Sequence, residues 1–174
     1  MDQSKLKNSL ETITNLAVLL AASGVLIALS WGYFAQSQTP LAVAGMQRGQ
    51  SLAQLPTVDY AGKTQTLLIA MNTQCQYCTE SVSFYNTLAD RVRPGSKGTR
   101  IVAVFPNKKD EVQKYVDSNG FRLETLADVD FATLNVSFTP TVMLVDSHGK
   151  LIDFWIGKVS TDIEQQILST VSIQ

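Results

Sequence analysis

The chain reads Thr66-Leu-Leu-Ile-Ala-Met-Asn-Thr-Gln-Cys75-Gln-Tyr-Cys78, and a helical pattern begins directly afterwards. The apolar run before the cysteines has the length of a strand and no polar alternation, which indicates a central strand buried on both faces. Two residues separate the cysteines, and the 174-residue chain contains no others. We therefore interpret Cys75 and Cys78 as a redox pair that follows a buried strand.

The chemistry of this pair depends on which sulfur becomes a thiolate, because the thiolate is the nucleophile in disulfide exchange. Cys75 falls at the first turn of the predicted helix, where unpaired backbone N–H groups and the positive end of the helix dipole favour the thiolate. Cys78 lies one turn later on the same side. We predict that Cys75 attacks, that Cys78 resolves, and that Gln76 and Tyr77 tune the redox potential.

Three other uses of the cysteines are weaker alternatives. A structural disulfide this short would restrain the unfolded chain very little. A zinc site needs about four ligands, and the chain adds only His148, which falls in a predicted turn. A peroxidase with one reactive cysteine would not need a second cysteine so close. We therefore predict no metal ligand and no cofactor besides the redox-active disulfide itself.

A long apolar run precedes the rest of the chain. Residues 16–35 carry no charge, and about 20 residues span the roughly 30 Å of a bilayer core as a helix. Three aromatic residues lie between positions 31 and 34, as in an interfacial aromatic belt. We predict a transmembrane anchor at residues 16–35 that contacts the lipid bilayer. A signal peptide cleaved near Ala42-Val43-Ala44 is the first alternative, and a buried helix of a soluble domain is the second.

The positive charges predict the orientation of this anchor. Lys5 and Lys7 precede the apolar run, and Arg48 is the next positive residue after it. The positive-inside rule then places residues 1–15 in the cytoplasm and the main domain outside, where a disulfide can persist. Residues 36–54 are small and polar, which predicts a linker. Residues 55–174 are numerous enough to form one domain with its own core.

Within this domain, strand and helix patterns alternate and then give way to a hairpin. The early strand–helix–strand order implies a parallel crossover, and the late hairpin implies an antiparallel edge. The sequence therefore predicts an α/β fold of three layers, α/β/α, with a mixed central sheet and helices on both faces. The predicted elements after the first strand are a helix at 75–93, a strand at 100–105, a helix at 109–118, strands at 141–146 and 151–156, and a final helix opened by a capping box at Thr161.

Composition argues against one class of partner. The formal net charge is −1, 45% of the residues are hydrophobic, and no run is rich in lysine and arginine. A nearly neutral chain without a basic patch gives no reason to expect nucleic-acid binding. We expect a monomer.

The pattern around the cysteines resembles the thioredoxin superfamily. The likeness is carried by strand–Cys75-x-x-Cys78–helix and, about sixty residues later, by Phe138-Thr-Pro-Thr before the hairpin. It covers roughly residues 55–174 and is closer to membrane-anchored, TlpA/ResA-like thiol-disulfide oxidoreductases of bacteria. The resemblance implies a thioredoxin-like fold, disulfide exchange with protein substrates in the reducing direction, and a membrane or periplasmic electron donor. It also implies a single-pass protein of the bacterial cytoplasmic membrane with its redox domain in the periplasm.

The resemblance also implies roles for residues near the pair. Pro140 would be cis and would pack beside Cys75, which would keep a metal from being captured by the two sulfurs. The backbone of Thr139 would be free to pair with a substrate chain, with Gln76 and Tyr77 on the same substrate-binding surface. On local grounds alone, the favoured interpretation of Pro140 is an ordinary loop proline that marks the start of a strand.

Four positions depart from the usual pattern of the superfamily, and one of them is Gln76, which follows the first cysteine in place of glycine or proline. Gln74 replaces a tryptophan before the first cysteine, and Met71 replaces an aromatic residue. Ile69 replaces a buried acidic or amide residue, so proton transfer from Cys78 needs another route. Water or Glu80 could provide it, although Glu80 also fits an ordinary solvated helix position.

One alternative function belongs to a different class. A thioredoxin-fold metal carrier or assembly factor would hold copper(I) on the two thiolates. Met71 is the only further soft ligand near the motif.

Overall fold

A computed structural model of the chain describes residues 23–24, 45–92 and 98–172. Within these ranges, no helix has the length and apolar character needed to cross a membrane. The predicted cytoplasmic segment at 1–15 lies outside the described residues. So do the predicted anchor at 16–35, apart from residues 23–24, and the first part of the predicted linker. All the elements below belong to the unit Val43–Gln174.

Five strands form one mixed sheet in the order β3-β2-β1-β4-β5. The strand β1 lies in the middle, parallel to β2 and antiparallel to β4, and all six of its residues are buried. This confirms the central, fully buried strand that the apolar run predicts. The strands are β1 (Gln65–Ala70), β2 (Thr99–Val104), β3 (Glu124–Leu126), β4 (Thr141–Asp146) and β5 (Leu151–Ile156).

The helix after the cysteines is broken, which the sequence pattern did not predict. Ser81 separates two helices, and its hydroxyl donates to the carbonyl of Tyr77 at 2.8 Å. A serine that bonds a carbonyl four residues back tends to bend a helix. The helices are α1 (Gln76–Glu80), α2 (Val82–Arg91), α3 (Lys109–Asn119) and α4 (Thr161–Ser172), with a 3-10 helix at Phe131–Leu134.

The predicted helix ends are confirmed for α3 and shifted for α4. Gly120 ends α3 in the left-handed conformation with φ of 60°, as the Asn-Gly pair indicates. Thr161 already lies inside α4, and the Glu164 N–H donates to the Ser160 carbonyl. Ser160 rather than Thr161 therefore occupies the capping position.

All four α-helices contribute to the core on one face of the sheet. The strands β1 and β2 step in the same direction toward β3, so right-handed crossovers place α1, α2 and α3 on one side. Edge-to-face aromatic contacts join Phe121 to Tyr85 and to Phe105 in this layer. The helix residues buried here are Cys78, Val82, Phe84, Tyr85, Leu88, Val112, Tyr115, Ile167, Leu168 and Val171.

The other face differs from the predicted α/β/α layering. In the described part of the chain it is covered by residues 46–60 and 129–136, which include only the 3-10 helix. Leu68, Met143 and Leu151 pack against these segments. Among the described residues, the second outer layer therefore consists mostly of irregular chain rather than α-helix.

Residues 45–54 belong to the domain, although the sequence predicts them as linker. Met46 and Leu52 are buried in the core. The Gly49 N–H donates to the Leu151 carbonyl at 2.7 Å, and the Leu151 N–H donates to the backbone carbonyl of Gln50 at 2.9 Å. Strand edges expose unpaired N–H and C=O groups that a protein must cover. This segment pairs with the start of the β5 edge at Leu151, so the folded unit begins before the predicted boundary at residue 55.

Candidate redox site

The turn that carries the cysteines follows β1 at the centre of the sheet. Met71 continues the strand by donating its N–H to the Val104 carbonyl, and its side chain is fully buried. Asn72 then closes a turn, because its carbonyl accepts from the Cys75 N–H and its side chain accepts from the Gln74 N–H. Asparagine favours this kind of local side-chain turn. The strand and turn together place Cys75 at the N-cap of α1.

Cys75 and Cys78 form a disulfide, with their Cα atoms 5.2 Å apart. The Cys78 N–H donates to Cys75 Sγ at 3.2 Å. Cys75 is partly exposed, whereas Cys78 has no exposed surface. An external group can therefore reach the first sulfur and not the second.

Thr139 and Pro140 lie beside the disulfide. The Thr139 carbonyl oxygen is 3.4 Å from Cys75 Sγ, and the Thr139–Pro140 peptide bond is cis. The register of the sheet explains this contact, because Ala70 at the end of β1 faces Thr141 at the start of β4. Two segments that lie far apart in sequence thus meet at one sulfur.

The loop after β5 holds the proline segment in place. The Gly157 N–H donates to the Pro140 carbonyl at 2.7 Å. The next residue, Lys158, forms an ion pair with Glu80 of α1, also at 2.7 Å. This loop therefore links the proline segment to the helix that carries the cysteines.

Glu80 makes its hydrogen bonds away from the sulfurs. It accepts from Lys158 and from the Gln76 side chain, and these bonds lower the pKa of the Glu80 carboxyl. Within the described residues, Glu80 makes no hydrogen bond to the buried Cys78 side chain. A proton relay through Glu80 stays a prediction. Gln76, predicted at the substrate surface, is exposed and is held by Glu80.

The sequence pattern does not predict two of the contacts at the site. Asn107 accepts from the Thr73 N–H at 3.1 Å through its side chain. Tyr115 lies 3.3 Å from the Thr79 hydroxyl, which donates to the Cys75 carbonyl, and burial raises the pKa of the Tyr115 phenol. Asn107 follows the end of β2, and the carboxyl ends of neighbouring parallel strands meet at one sheet edge. That placement is the signal that could have identified Asn107.

His148 lies at the far end of β4 from Pro140. It lies in the turn before β5, where its backbone N–H donates to the Asp146 carboxylate at 2.8 Å. Hydrogen bonds from the Lys150 and His148 backbones lower the pKa of Asp146. In the described ranges, no three or more His, Cys, Asp or Glu side chains cluster as metal ligands would.

Comparisons by sequence and by structure gave different results. No protein-family profile and no curated protein matches the chain. A structure from Chlorobium tepidum, assigned as thiol:disulfide interchange protein DsbE, is 22% identical with a TM-score of 0.60, covering 73% of this chain and 99% of its own. A secreted disulfide oxidoreductase of Mycobacterium tuberculosis is 14% identical with a TM-score of 0.53, covering 74% and 96%.

A third similar structure is named as a peroxidoxin and not as a disulfide-exchange protein. The peroxidoxin BcpB of Mycobacterium tuberculosis is 17% identical with a TM-score of 0.57, covering 75% of this chain and 99% of its own. The TM-scores of these three structures show a shared fold. Sequence identities this low show nothing more than the fold, because one fold can host several chemistries. The chain therefore has a thioredoxin-like α/β fold with a mixed five-stranded sheet, as its resemblance to the thioredoxin superfamily predicted.

Proposed function

We propose that this protein is a membrane-tethered, extracytoplasmic thiol-disulfide oxidoreductase that exchanges disulfides with protein substrates through Cys75 and Cys78. One observation carries the proposal. A partly exposed Cys75 is bonded to a fully buried Cys78 and lies 3.4 Å from the Thr139 carbonyl. A reachable sulfur with a protected partner one turn away suits exchange through a mixed disulfide.

The reducing direction proceeds in two balanced steps. The Cys75 thiolate attacks one sulfur of a substrate disulfide, forming a mixed disulfide and releasing the other substrate sulfur with the electron pair of the broken bond. Cys78 then loses its proton and attacks Cys75, which releases the second substrate thiol. The substrate gains two electrons, and the protein ends as the Cys75–Cys78 disulfide. A membrane or periplasmic electron donor must reduce it again.

Residues around the sulfurs have defined tasks in this scheme. The Cys78 N–H, 3.2 Å from Cys75 Sγ, can stabilise negative charge on that sulfur. The Thr139 backbone would pair with an extended substrate, and Gln76 and Tyr77 would line the same surface. Water or Glu80 would take the proton that Cys78 releases.

A labelling experiment tests the asymmetry of the two sulfurs. We expect iodoacetamide to alkylate Cys75 of the reduced full-length chain rapidly at neutral pH. Cys78 should react only after unfolding, because its side chain has no exposed surface. Mass spectrometry of the labelled peptides separates the two sites. Equal labelling of both cysteines in the folded protein would contradict the proposed order of attack.

The direction of exchange rests on the family resemblance and has its own test. Related dithiol pairs span reduction potentials from about −270 mV for thioredoxin to about −120 mV for a strong oxidant. A potential near the thioredoxin end, measured by equilibration with glutathione, supports reduction. A potential near the oxidant end would reverse the proposed direction.

The membrane location rests on the apolar run at 16–35 and on Lys5 and Lys7 before it. Protease added outside the cytoplasmic membrane of spheroplasts should digest the redox domain and leave a short protected N-terminal fragment. Protection of the redox domain would place it in the cytoplasm, and its release by salt would argue against an anchor.

A further inference from the structure

Two buried tyrosines connect the core to the short helix α1 that carries the cysteines. This helix has only five residues, and an isolated helix of that length is not stable in water. Tyr85 of α2 and Tyr115 of α3 have 1% and 6% of their surface exposed. Both rings pack edge-to-face against Phe121, at centroid distances of 6.5 and 6.4 Å. The two phenols therefore lie in the same layer of the core as Cys78.

The Tyr115 phenol reaches the backbone of Cys75 through one side chain. Its oxygen lies 3.3 Å from the Thr79 hydroxyl, which lies 3.5 Å from the Cys75 carbonyl oxygen. A threonine hydroxyl has one proton, and a carbonyl can only accept. The order that satisfies all three groups has Tyr115 donating to Thr79 and Thr79 donating to Cys75. The backbone N–H groups of Cys78 and Thr79 bond the same carbonyl at 3.1 and 3.2 Å, so the hydroxyls reinforce the first turn of α1.

The Tyr85 phenol reaches the residue before Cys78 in the same way. Burial raises the pKa of this phenol, and a hydrogen bond with the Ser81 side chain is the largest effect that opposes the rise. The Ser81 hydroxyl donates to the Tyr77 carbonyl at 2.8 Å. Buried polar groups need hydrogen-bond partners, and both phenols find theirs on α1 or directly after it. Two phenol–hydroxyl chains thus end on the carbonyls of Cys75 and Tyr77.

These two chains should contribute differently in the two redox states. In the oxidised protein, the bond between Cys75 and Cys78 itself restrains α1. In the reduced protein this covalent restraint is gone, and noncovalent contacts alone keep the Cys78 N–H directed at Cys75 Sγ, as it is at 3.2 Å in the disulfide form. That hydrogen bond favours a thiolate at Cys75. Loss of a phenol–hydroxyl chain should therefore destabilise the reduced form more than the disulfide form.

We propose that Tyr85 and Tyr115, acting through Ser81 and Thr79, are positioning residues that hold α1 in its reactive geometry and stabilise the dithiol form. This inference rests on the proposed function, since it assigns further residues to the same exchange site. Each of the four acts through the backbone of α1 and not by contact with a substrate.

Equilibration of the full-length protein with glutathione at fixed pH measures the effect. The Cys75 thiolate attacks glutathione disulfide and expels one glutathione thiolate with the electron pair of the broken bond. Cys78 then loses its proton and displaces the second glutathione, which leaves the protein disulfide and two reduced glutathione molecules. For Tyr85→Phe and Tyr115→Phe, which remove only a hydroxyl, the equilibrium constant for this oxidation should rise about threefold.

Substitutions at Thr79 separate its hydroxyl from the rest of its side chain. Thr79→Val keeps the shape and removes the hydroxyl, so it should raise the equilibrium constant by the same factor as Tyr115→Phe. The double variant should show no larger change than either single variant, because both break one chain. Thr79→Ser keeps the hydroxyl and should stay near the wild-type value. A shift in Thr79→Ser as large as that in Thr79→Val, or a double variant in which the two changes multiply, would overturn the inference.

Tyr60→Phe is the matched control. Tyr60 is also a buried tyrosine, and its hydroxyl donates to the Ala53 carbonyl at 3.4 Å on the other face of the sheet. Its loss should leave the equilibrium constant unchanged, even if urea unfolding shows lower stability. An equal rise in all three Tyr→Phe variants would mean a general loosening of the fold. Lower stability with a wild-type constant in Tyr85→Phe and Tyr115→Phe would mean a structural role alone. Either result would overturn the inference.

The proposed function fails in a different way from the positioning role. If the wild-type protein neither exchanges with glutathione nor reduces the disulfides of insulin, the exchange reaction itself is wrong, and the inference goes with it. If the wild-type protein does both and the variants share its equilibrium constant, only the positioning role is wrong.

Discussion

At the scale of single residues, Cys75 and Cys78 differ in their surroundings although they lie one turn apart. Cys75 caps α1, accepts the Cys78 N–H and meets Thr139, whereas Cys78 points into the core. Their spacing predicts the pair and the order of attack. The contact with Thr139 depends on the pairing of β1 with β4, which local patterns do not specify. The sequence therefore suggested the roles, and the fold supplies the difference in exposure.

Thr66 is a residue whose hydroxyl weakens the fold. Its Oγ1 is buried in β1 without a hydrogen-bond partner among the described residues. We expect Thr66→Val to raise the free energy of unfolding by about 1 kcal/mol, because burying an unpaired hydroxyl is unfavourable. Urea unfolding followed by circular dichroism measures the change.

Thr99→Val is the matched control for this substitution. Thr99 is also a buried strand threonine, but its hydroxyl accepts from the Gln65 side chain at 2.8 Å. Its replacement should therefore lower the unfolding free energy by about 1 kcal/mol. Changes of the same sign at both positions would contradict the account.

At the scale of elements, the short helix α1 is held by contacts from three other parts of the domain. Lys158 pairs with Glu80, Tyr115 of α3 meets Thr79, and Asn107 binds the turn before the helix. Strand and helix types were predictable from apolar periodicity. These tertiary contacts were not, because each joins polar residues more than thirty positions apart in sequence.

The pair between Glu80 and Lys158 predicts a pH dependence of stability. Because the folded-state pKa of Glu80 lies below its ordinary value of 4.5, its contribution is present above the unfolded-state pKa and is lost as pH falls through the folded-state pKa. Glu80→Gln should therefore lower stability at neutral pH and have no effect below that folded-state pKa. Since the pair is exposed, the effect should be small.

Urea unfolding at neutral pH and at a pH below the folded-state pKa of Glu80 tests this expectation. The variant Lys158→Met, which removes the other member of the ion pair, is the control. Lys158→Met should lower stability at neutral pH and cause less further loss in the Glu80→Gln background. Additive losses, or an equal loss at both pH values, would show that the ion pair is not responsible.

The end of α3 gives a second prediction at this scale. Gly120 adopts φ of 60°, and a Cβ added there would meet no atom within 4 Å. Gly120→Ala should lower the unfolding free energy by about 1 kcal/mol through backbone strain alone. Gly120→Asn should cost less, because asparagine tolerates this conformation. Thermal unfolding of both variants measures the difference, and an equal cost for both would argue for a steric cause.

At the scale of the whole molecule, the mixed sheet with a central β1 follows the sequence prediction, and the start of the domain does not. Residues 45–54 look like linker because they are small and polar. Their two buried side chains, Met46 and Leu52, are isolated apolar positions with no period that marks an element. The need to cover the β5 edge appears only once the sheet is assembled.

The revised boundary predicts the behaviour of two truncated proteins. A domain beginning at residue 45 should fold with a cooperative transition. One beginning at residue 55 should be less stable by about 3 kcal/mol or more, since burial of a Met or Leu side chain contributes about 1.5–3 kcal/mol. Denaturant unfolding compares the two. Equal stability would restore residue 55 as the boundary.

The central claim is that Cys75 exchanges disulfides with other proteins and that Cys78 resolves the intermediate. Trapping tests it most directly: full-length Cys78→Ser and Cys75→Ser variants are produced in a native bacterial envelope, quenched with acid and separated on non-reducing gels. The account predicts reducible high-mass adducts for Cys78→Ser, joined through Cys75, and far fewer for Cys75→Ser. An absence of adducts with Cys78→Ser, or equal adducts with both variants, would contradict it.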